Sequence, residues 1–360
     1  MEKKQIYIGL AVIVVVIIAG VAIFWSQGGQ AAPAADPVTS AELKTLRVGY
    51  LPNNGGTLIF VAQEKGFFRE QGLNVELSSF TNSAEGVNAI ISKKLDTGGF
   101  GVAPLVFIAK GADLTVYGGQ MGAGAGIIVK PENAQLYNDL SDYKGKTVAT
   151  VRMSSGDINF RGALLDAGFD LKKDITIQEL ESAAAVTEAV KSGKVDVGLT
   201  WTPYMEIAKK QNLPVVLYTD DYFPKHPCCR ISALTETLEK DRDTYVKYEK
   251  ALIKAYHYSK TNPEETVDAV LKYVQTDRDV LTEAINSPHF YISPDPNTKG
   301  ILHTYDLLTR IKYVDTTTVD VNDHINTSIY KEALDELIRE NPNETFYQEL
   351  KAEFATLNPS

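Results

Sequence analysis

The segment His226-Pro-Cys-Cys-Arg230 gathers an imidazole, two thiols and a guanidinium into one short run. Neighbouring Cα atoms stand about 3.8 Å apart across a trans peptide, below the usual disulfide span of about 4.4 to 6.8 Å, so Cys228 and Cys229 have no unstrained bridge open to them. They read as free thiols packed like small hydrophobes, because too few further ligands stand nearby for a metal. Arg230 can face an anion or a carboxylate of its own lobe. Other segments suit binding better than reaction. In Arg152-Met-Ser-Ser-Gly156 a guanidinium precedes Ser154 and Ser155 at an expected helix start, where unpaired N–H groups attract anions. Trp201-Thr-Pro-Tyr204 offers an indole and a phenol, either to cover a ligand or as plain core. Asn53, Asn54, Gly55 and Thr57 follow one expected strand; Thr81 and Asn82, and then Gly101, Val102 and Ala103, precede two expected helices. Ser, Thr and Asn cap helices everywhere, but four such loops at equivalent strand ends are better explained jointly as the rim of a cleft. No Gly-x-Ser-x-Gly, His-Glu-x-x-His, P-loop or dinucleotide signature appears in a suitable context, and no cofactor or metal is expected.

These loops are positioned by an alternation of elements. Strands are expected at 46–50, 73–77, 97–102 and 114–117, with helices near 57–71, 83–94 and 103–110 between them. A second series follows Pro131, with strands at 147–151, 175–177, 195–199 and 214–217 and helices at 155–167, 183–192 and 203–211. Strands regularly separated by helices imply an α/β fold with parallel sheets covered on both faces. The series resemble each other, for each has a helix, then Ser-Lys-Lys-Leu-Asp96 or Ser-Gly-Lys-Val-Asp196, then a Pro-containing helix start. From Thr235 the spacing of apolar residues becomes mainly helical.

A chain of 360 residues, 44% hydrophobic and 23% charged, can build two lobes with separate cores. Its formal net charge of -10 and the lack of a basic run exclude a nucleic-acid footprint. Lys3 and Lys4 precede an uncharged run from Ile6 to Trp25, whose length matches a bilayer core of roughly 30 Å. It reads as a retained anchor with the remainder outside the cell; a cleaved signal is the competing reading, since alanines follow at 31, 32, 34 and 35. No cysteine follows for lipid attachment. Gln27 to Ser40 has the composition of a flexible spacer.

The segments Leu46-Arg-Val-Gly-Tyr-Leu-Pro52, Val61-Ala-Gln-Glu-Lys-Gly-Phe-Phe68, Gln71-Gly-Leu-Asn-Val-Glu-Leu77, Lys144-Gly-Lys-Thr-Val-Ala149, Ser192-Gly-Lys-Val-Asp196 and Trp201-Thr-Pro-Tyr204 resemble, in order and spacing, the type II periplasmic-binding proteins of the nitrate, sulfonate and taurine import group, which includes pyrimidine-precursor binders. The resemblance covers nearly everything from 45 to 335. It implies a two-lobed receptor, with one lobe from 44–129 and 229–360 and the other from 130–228. Two crossing strands, near 126–130 and 227–232, would form a hinge. A small-molecule ligand would bind between the lobes at the loops above, with Cys228 and Arg230 beside it, and an ABC permease with its ATPase would be the partners. The hydroxymethylpyrimidine phosphate synthases share this architecture, but their dense cysteine motif is missing here, so the expectation is a binder and not an enzyme. A sulfonate-like anion is the first expectation for the ligand and a heteroaromatic the second.

Overall fold

The computed structural model describes residues 43–315 and 319–359. The run from Ile6 to Trp25, its spacer and the anchor expected there lie outside the described residues. No helix among the described residues is long and apolar enough to cross a membrane.

The first series consists of β1 (Lys44–Tyr50), α1 (Thr57–Glu64), α2 (Phe67–Glu70), β2 (Leu73–Ser79), α3 (Ser83–Ile91), β3 (Thr97–Gly99), α4 (Ala103–Ala109) and β4 (Leu114–Ala123). The single helix expected over 57–71 is two, because Gly66 takes a left-handed φ of +77° that ends α1. The second series is β5 (Ala125–Val129), β6 (Thr147–Thr150), α5 (Ser155–Asp166), β7 (Thr176–Glu179), α6 (Ala183–Ser192), β8 (Val197–Trp201), α7 (Tyr204–Lys210) and β9 (Val215–Tyr218). The chain returns through β10 (Pro227–Leu234) to α8 (Thr235–Lys240), α9 (Arg242–Thr261), α10 (Pro263–Leu271), α11 (Arg278–Ile285), β11 (Phe290–Ile292), α12 (Thr298–Arg310), α13 (Ser328–Glu340) and α14 (Thr345–Leu357).

Two sheets result, ordered β11-β4-β10-β3-β1-β2 and β7-β6-β8-β5-β9. Neither is purely parallel, contrary to expectation. β10 runs antiparallel to β3 and β4, and β5 antiparallel to β8 and β9. The strands that carry the chain into and out of the second sheet must run against those built from β-α-β units. Residues 125–129, expected to close the first lobe, therefore pair in the second sheet, and the outward crossing narrows to Gly124, at φ +79°. The return crossing lies between β9 and β10, and Ala123 N donates to His226 O at 2.9 Å, tying the two crossings together.

Alternation along each strand supplies a core on both faces of both sheets. Val48, Tyr117 and Ile231 pack under Leu58 and Phe60 of α1 and Tyr248 and Leu252 of α9. Leu114 and Val116 face Leu105 of α4 and Leu308 of α12. In the second sheet Ile127 and Val148 join Phe160 of α5 on one face, while their neighbours Ile128 and Ala149 join Val186 and Val190 of α6 on the other. The two series share one frame. Asp96 accepts Arg47 N at 2.7 Å and Asp196 accepts Thr147 N at 2.8 Å, each carboxylate bonding the backbone of the strand beside its own.

Candidate ligand-binding site

The carboxyl ends of β1 and β8 meet across the seam between the sheets. Asn53 turns its side chain back onto Gly55 N at 2.9 Å, and Thr57 Oγ1 donates to Asn54 O at 2.6 Å, which fixes the loop and leaves Asn54 as its buried contact. Asn54 Nδ2 donates to Thr202 Oγ1 of the second series at 2.9 Å, while Asn54 Oδ1 is buried and has no partner. A buried amide half-satisfied in this way is costly unless another molecule completes it. Gly55 is required by what surrounds it. A Cβ there would stand 2.9 Å from Cys229 Sγ and from Asn53 Oδ1, and 3.5 Å from Met121 Sδ.

In the second series Ser154 caps α5 by accepting Asp157 N at 3.2 Å, and Ser155 opens the helix next to Cys228. Arg152 does not stand free at this helix start as the sequence reading supposed. Its Nη1 donates to Glu179 Oε1 at 3.0 Å, and its guanidinium lies 4.1 Å from the centroid of the Tyr313 ring. Asp157 already supplies a negative charge there, accepting Met153 N, Arg161 Nε and the Tyr313 hydroxyl. Half-buried Trp201 meets exposed Tyr204 edge-on, with ring centroids 5.8 Å apart.

The return crossing is held by a relay of hydrogen bonds. Asn159 Nδ2, which also donates to Ser155 O at 2.7 Å, donates to His226 Nδ1 at 3.0 Å; His226 Nε2 donates to Thr219 Oγ1 at 2.8 Å, and that hydroxyl donates to Ala125 O at 3.1 Å. This direction is the one that satisfies a neutral imidazole. Burial lowers the His226 pKa to about 4, so the ring stays neutral. Cys228 Sγ and Cys229 Sγ lie 3.7 Å apart, and their mutual hydrogen bond lowers the Cys228 pKa and raises that of Cys229. Arg230 is buried, bonded to backbone carbonyls, with the Asp295 carboxylate near enough to act on its charge. Its Nη1 donates to Asp295 O and Pro296 O at 3.0 and 2.9 Å, and its Nη2 to Met121 O at 2.7 Å.

Of the residues singled out from sequence, the seam brings together Asn54, Gly55, Ser155, Cys228 and the neighbours of Trp201. Gly101 accepts Arg230 N at 3.0 Å, with Val102 buried beneath and Ala103 opening α4. Thr81 and Asn82 serve α3 instead, through bonds to Glu85 at 3.0 and 2.9 Å, and are exposed. Sequence reasoning passed over Thr202, Met121, Asn159 and Thr219. For Thr202 the signal was its place inside the Trp201-Thr-Pro-Tyr204 segment; for Met121, on a strand running past its expected end, there was none.

The model of the NMT1-like family matches residues 39–274, a span that includes both sheets' β-α-β series and both crossings. A putative binding protein of Brucella abortus is 28% identical over 255 residues, covering 69% of this chain and 78% of that one. The periplasmic aliphatic sulphonate-binding protein of Escherichia coli superposes with a TM-score of 0.68 at 22% identity, covering 80% of this chain and 99% of that one. The periplasmic nitrate-binding protein of Synechocystis gives 0.67 at 14% identity, covering 82% and 89%. The superpositions show the two-lobed periplasmic-binding fold, and the family model, matched across most of the described residues, shows that the chain belongs to the NMT1-like family of solute-binding proteins.

Proposed function

We propose that this protein is the extracytoplasmic receptor of an ABC importer and that it captures a small sulfonate-like anion in the seam between its sheets. The observation that carries the reading is the Asn54 amide, buried at the end of β1 with its NH2 on Thr202 across the seam and its Oδ1 acceptor unpartnered, which asks for a ligand that also carries an N–H donor, as the ammonium of an aminoalkanesulfonate such as taurine does. A ligand bonded there touches both lobes at once, so it favours the form in which they meet. The N–H groups that open α5 at Ser155 suit an oxyanion, and the Trp201–Tyr204 pair suits a short apolar tail. Arg152 contributes only by exchanging Glu179 for the ligand, so Asn54 and Ser155 rank ahead of it. The fold shared with sulphonate- and nitrate-binding proteins supports an oxyanion. A permease and its ATPase are the partners, and the run from Ile6 to Trp25 holds the receptor at the outer face of the membrane. The aromatic pair also favours a second reading, a heteroaromatic such as a pyrimidine stacked on Trp201.

A thermal-shift series on the full chain with the aminoalkanesulfonate taurine, nitrate, bicarbonate and a pyrimidine tests this, since a ligand that binds only the folded state raises Tm. The sulfonate is expected to give the largest shift, and Asn54→Ala to weaken its binding by about 1 to 3 kcal/mol. A shift with the pyrimidine alone selects the second reading, and no shift with any of the four overturns both.

A further inference from the structure

The two thiols of the return crossing share one side of their strand although successive side chains of a regular strand point to opposite faces. The cause is local. The register of β10 against β4 slips between Pro227 and Cys229 and again between Cys229 and Arg230, a double irregularity that re-aims side chains as a bulge does. It brings Cys228 Sγ to 3.7 Å from Cys229 Sγ. A third sulfur stands near, because Met121 is the register partner of Cys229 on β4. One point in space, where a Cβ on Gly55 would sit, lies 2.9 Å from Cys229 Sγ and 3.5 Å from Met121 Sδ. The glycine leaves room beside both sulfurs.

We propose that Cys228 and Cys229, supported by Met121, form a chelating site for a soft, low-coordinate cation of the Cu(I) class. Two sulfurs 3.7 Å apart that each bond one ion at about 2.3 Å subtend about 107° at it, open enough for both to hold one ion while a third donor, Met121, completes a three-coordinate set. The donors are thiolate and thioether, which favour soft ions. Among the described residues no group of three His, Cys, Asp or Glu side chains converges, so the complete ligand set of a four-coordinate zinc site is not offered here. Cys228 is part-exposed and borders Ser155, which gives the ion an entry from the seam. On binding, Cu(I) leaves its carrier ligands and forms two Cu–thiolate bonds and one to the Met121 thioether, each thiol that still carries a proton releases it to solvent, and no electron changes hands.

The test titrates the reduced full chain, anaerobically, with Cu(I) held by a coloured bidentate chelator. Wild type is expected to withdraw one equivalent. Cys228→Ser and Cys229→Ser should each weaken uptake by more than about 100-fold, beyond the 10- to 100-fold typical of lost supporting groups, and the nearly isosteric Met121→Leu by about 10-fold. If either cysteine variant fails to fold, blocking both thiols of the folded wild type with methyl methanethiosulfonate must abolish uptake. The proposal is overturned if wild type competes no better than a monothiol such as glutathione, or if uptake survives in the blocked protein. Neither outcome depends on which solute raises Tm, so this site and the anion reading stand or fall separately.

Discussion

Residues 44–109 and 144–210 share one frame, numbers offset by 100 and α5 standing where the first series has α1 and α2, yet fill the space between strand and helix from opposite sides. In the first series the residue that follows β3 supplies the bulk. The Phe100 ring lies in a slot of glycines, so that a Cβ on Gly86 of α3 would meet it at 2.1 Å, on Gly49 at 2.4 Å and on Gly98 at 2.5 Å. In the second series the counterparts are Thr200, Val186, Ala149 and Gly198, and the helix supplies the bulk, with Val190 and Val186 at 2.6 and 2.7 Å from a Cβ on Gly198. The first helices differ likewise. Buried Ile59 of α1 lies in the core shared with α9 and α10, whereas its counterpart Asn159 is buried by bonding His226 at the crossing. What the two series keep in common is the hydrogen bonding that sets the frame; side-chain volume and polarity are exchanged around it.

The sharpest way to break this comparison is to transplant one solution into the other series. Phe100→Thr should cost about 3 to 5 kcal/mol of stability by opening a cavity, and Gly86→Val about 1 to 3 kcal/mol or more by overpacking. Made together they should cost less than the sum, by about 0.5 to 3 kcal/mol, in urea unfolding of the full chain. Strict additivity would show that the volumes are not exchanged.

A second expectation concerns the polar solution. With its pKa lowered to about 4 by burial, His226 binds fewer protons folded than unfolded between about pH 4 and 6.5. Its contribution is therefore complete above about pH 6.5 and is lost as pH falls through that window, by about 3 kcal/mol. Asp295, raised to about 6 by burial, slopes the other way, favouring the folded state below about pH 4 and losing that advantage as pH rises towards 6. The His226 effect is thus read as the difference between wild type and His226→Gln. Asn159→Ile, which imports the residue of the first series, should cost about 1 to 3 kcal/mol at pH 7 by leaving the imidazole nitrogen unpaired. A flat difference curve would remove His226 from the comparison.

The smallest effect is expected at the shared frame. Asp96 also pairs with Arg47 at 2.6 Å, a half-exposed ion pair that Asp196 lacks because Thr147 stands opposite it. Arg47→Thr should cost less than about 1 kcal/mol, as exposed pairs do. A larger loss would mean that the ion pair, rather than the backbone bond, holds β1 to Asp96.

The alternation of strands and helices was legible because each β-α-β unit is local, and seven of the strands were placed to within three residues, while β4 runs six residues past its expected end. The reversed strands were not. Ala125-Gly-Ile-Ile-Val129 carries the same apolar signature whichever sheet it joins, and only pairing with residues far along the chain decides it. Gly49, Gly86 and Gly98 gave no hint that they line one ring. At the candidate site, strand ends marked Asn54, Ser155 and Trp201, since loop chemistry is written locally. The engagement of Arg152 by Glu179 and Tyr313, and of Arg230 by three carbonyls, depends on partners 27 or more residues away and was beyond any local pattern.

The bond from Ala123 N to His226 O has a consequence for ancestry. Everything in the second sheet, β5 to β9, enters and leaves the first sheet at two points one hydrogen bond apart. A segment whose ends are neighbours can be gained or exchanged by recombination without stretching its host, because the host strands β4 and β10 stay paired across the junction. Breakpoints near codons 124 and 226 would therefore deliver a complete lobe carrying Ser155, Trp201 and Thr202 onto a scaffold that keeps Asn54, so that half of the proposed ligand contacts could be renewed in one genetic event.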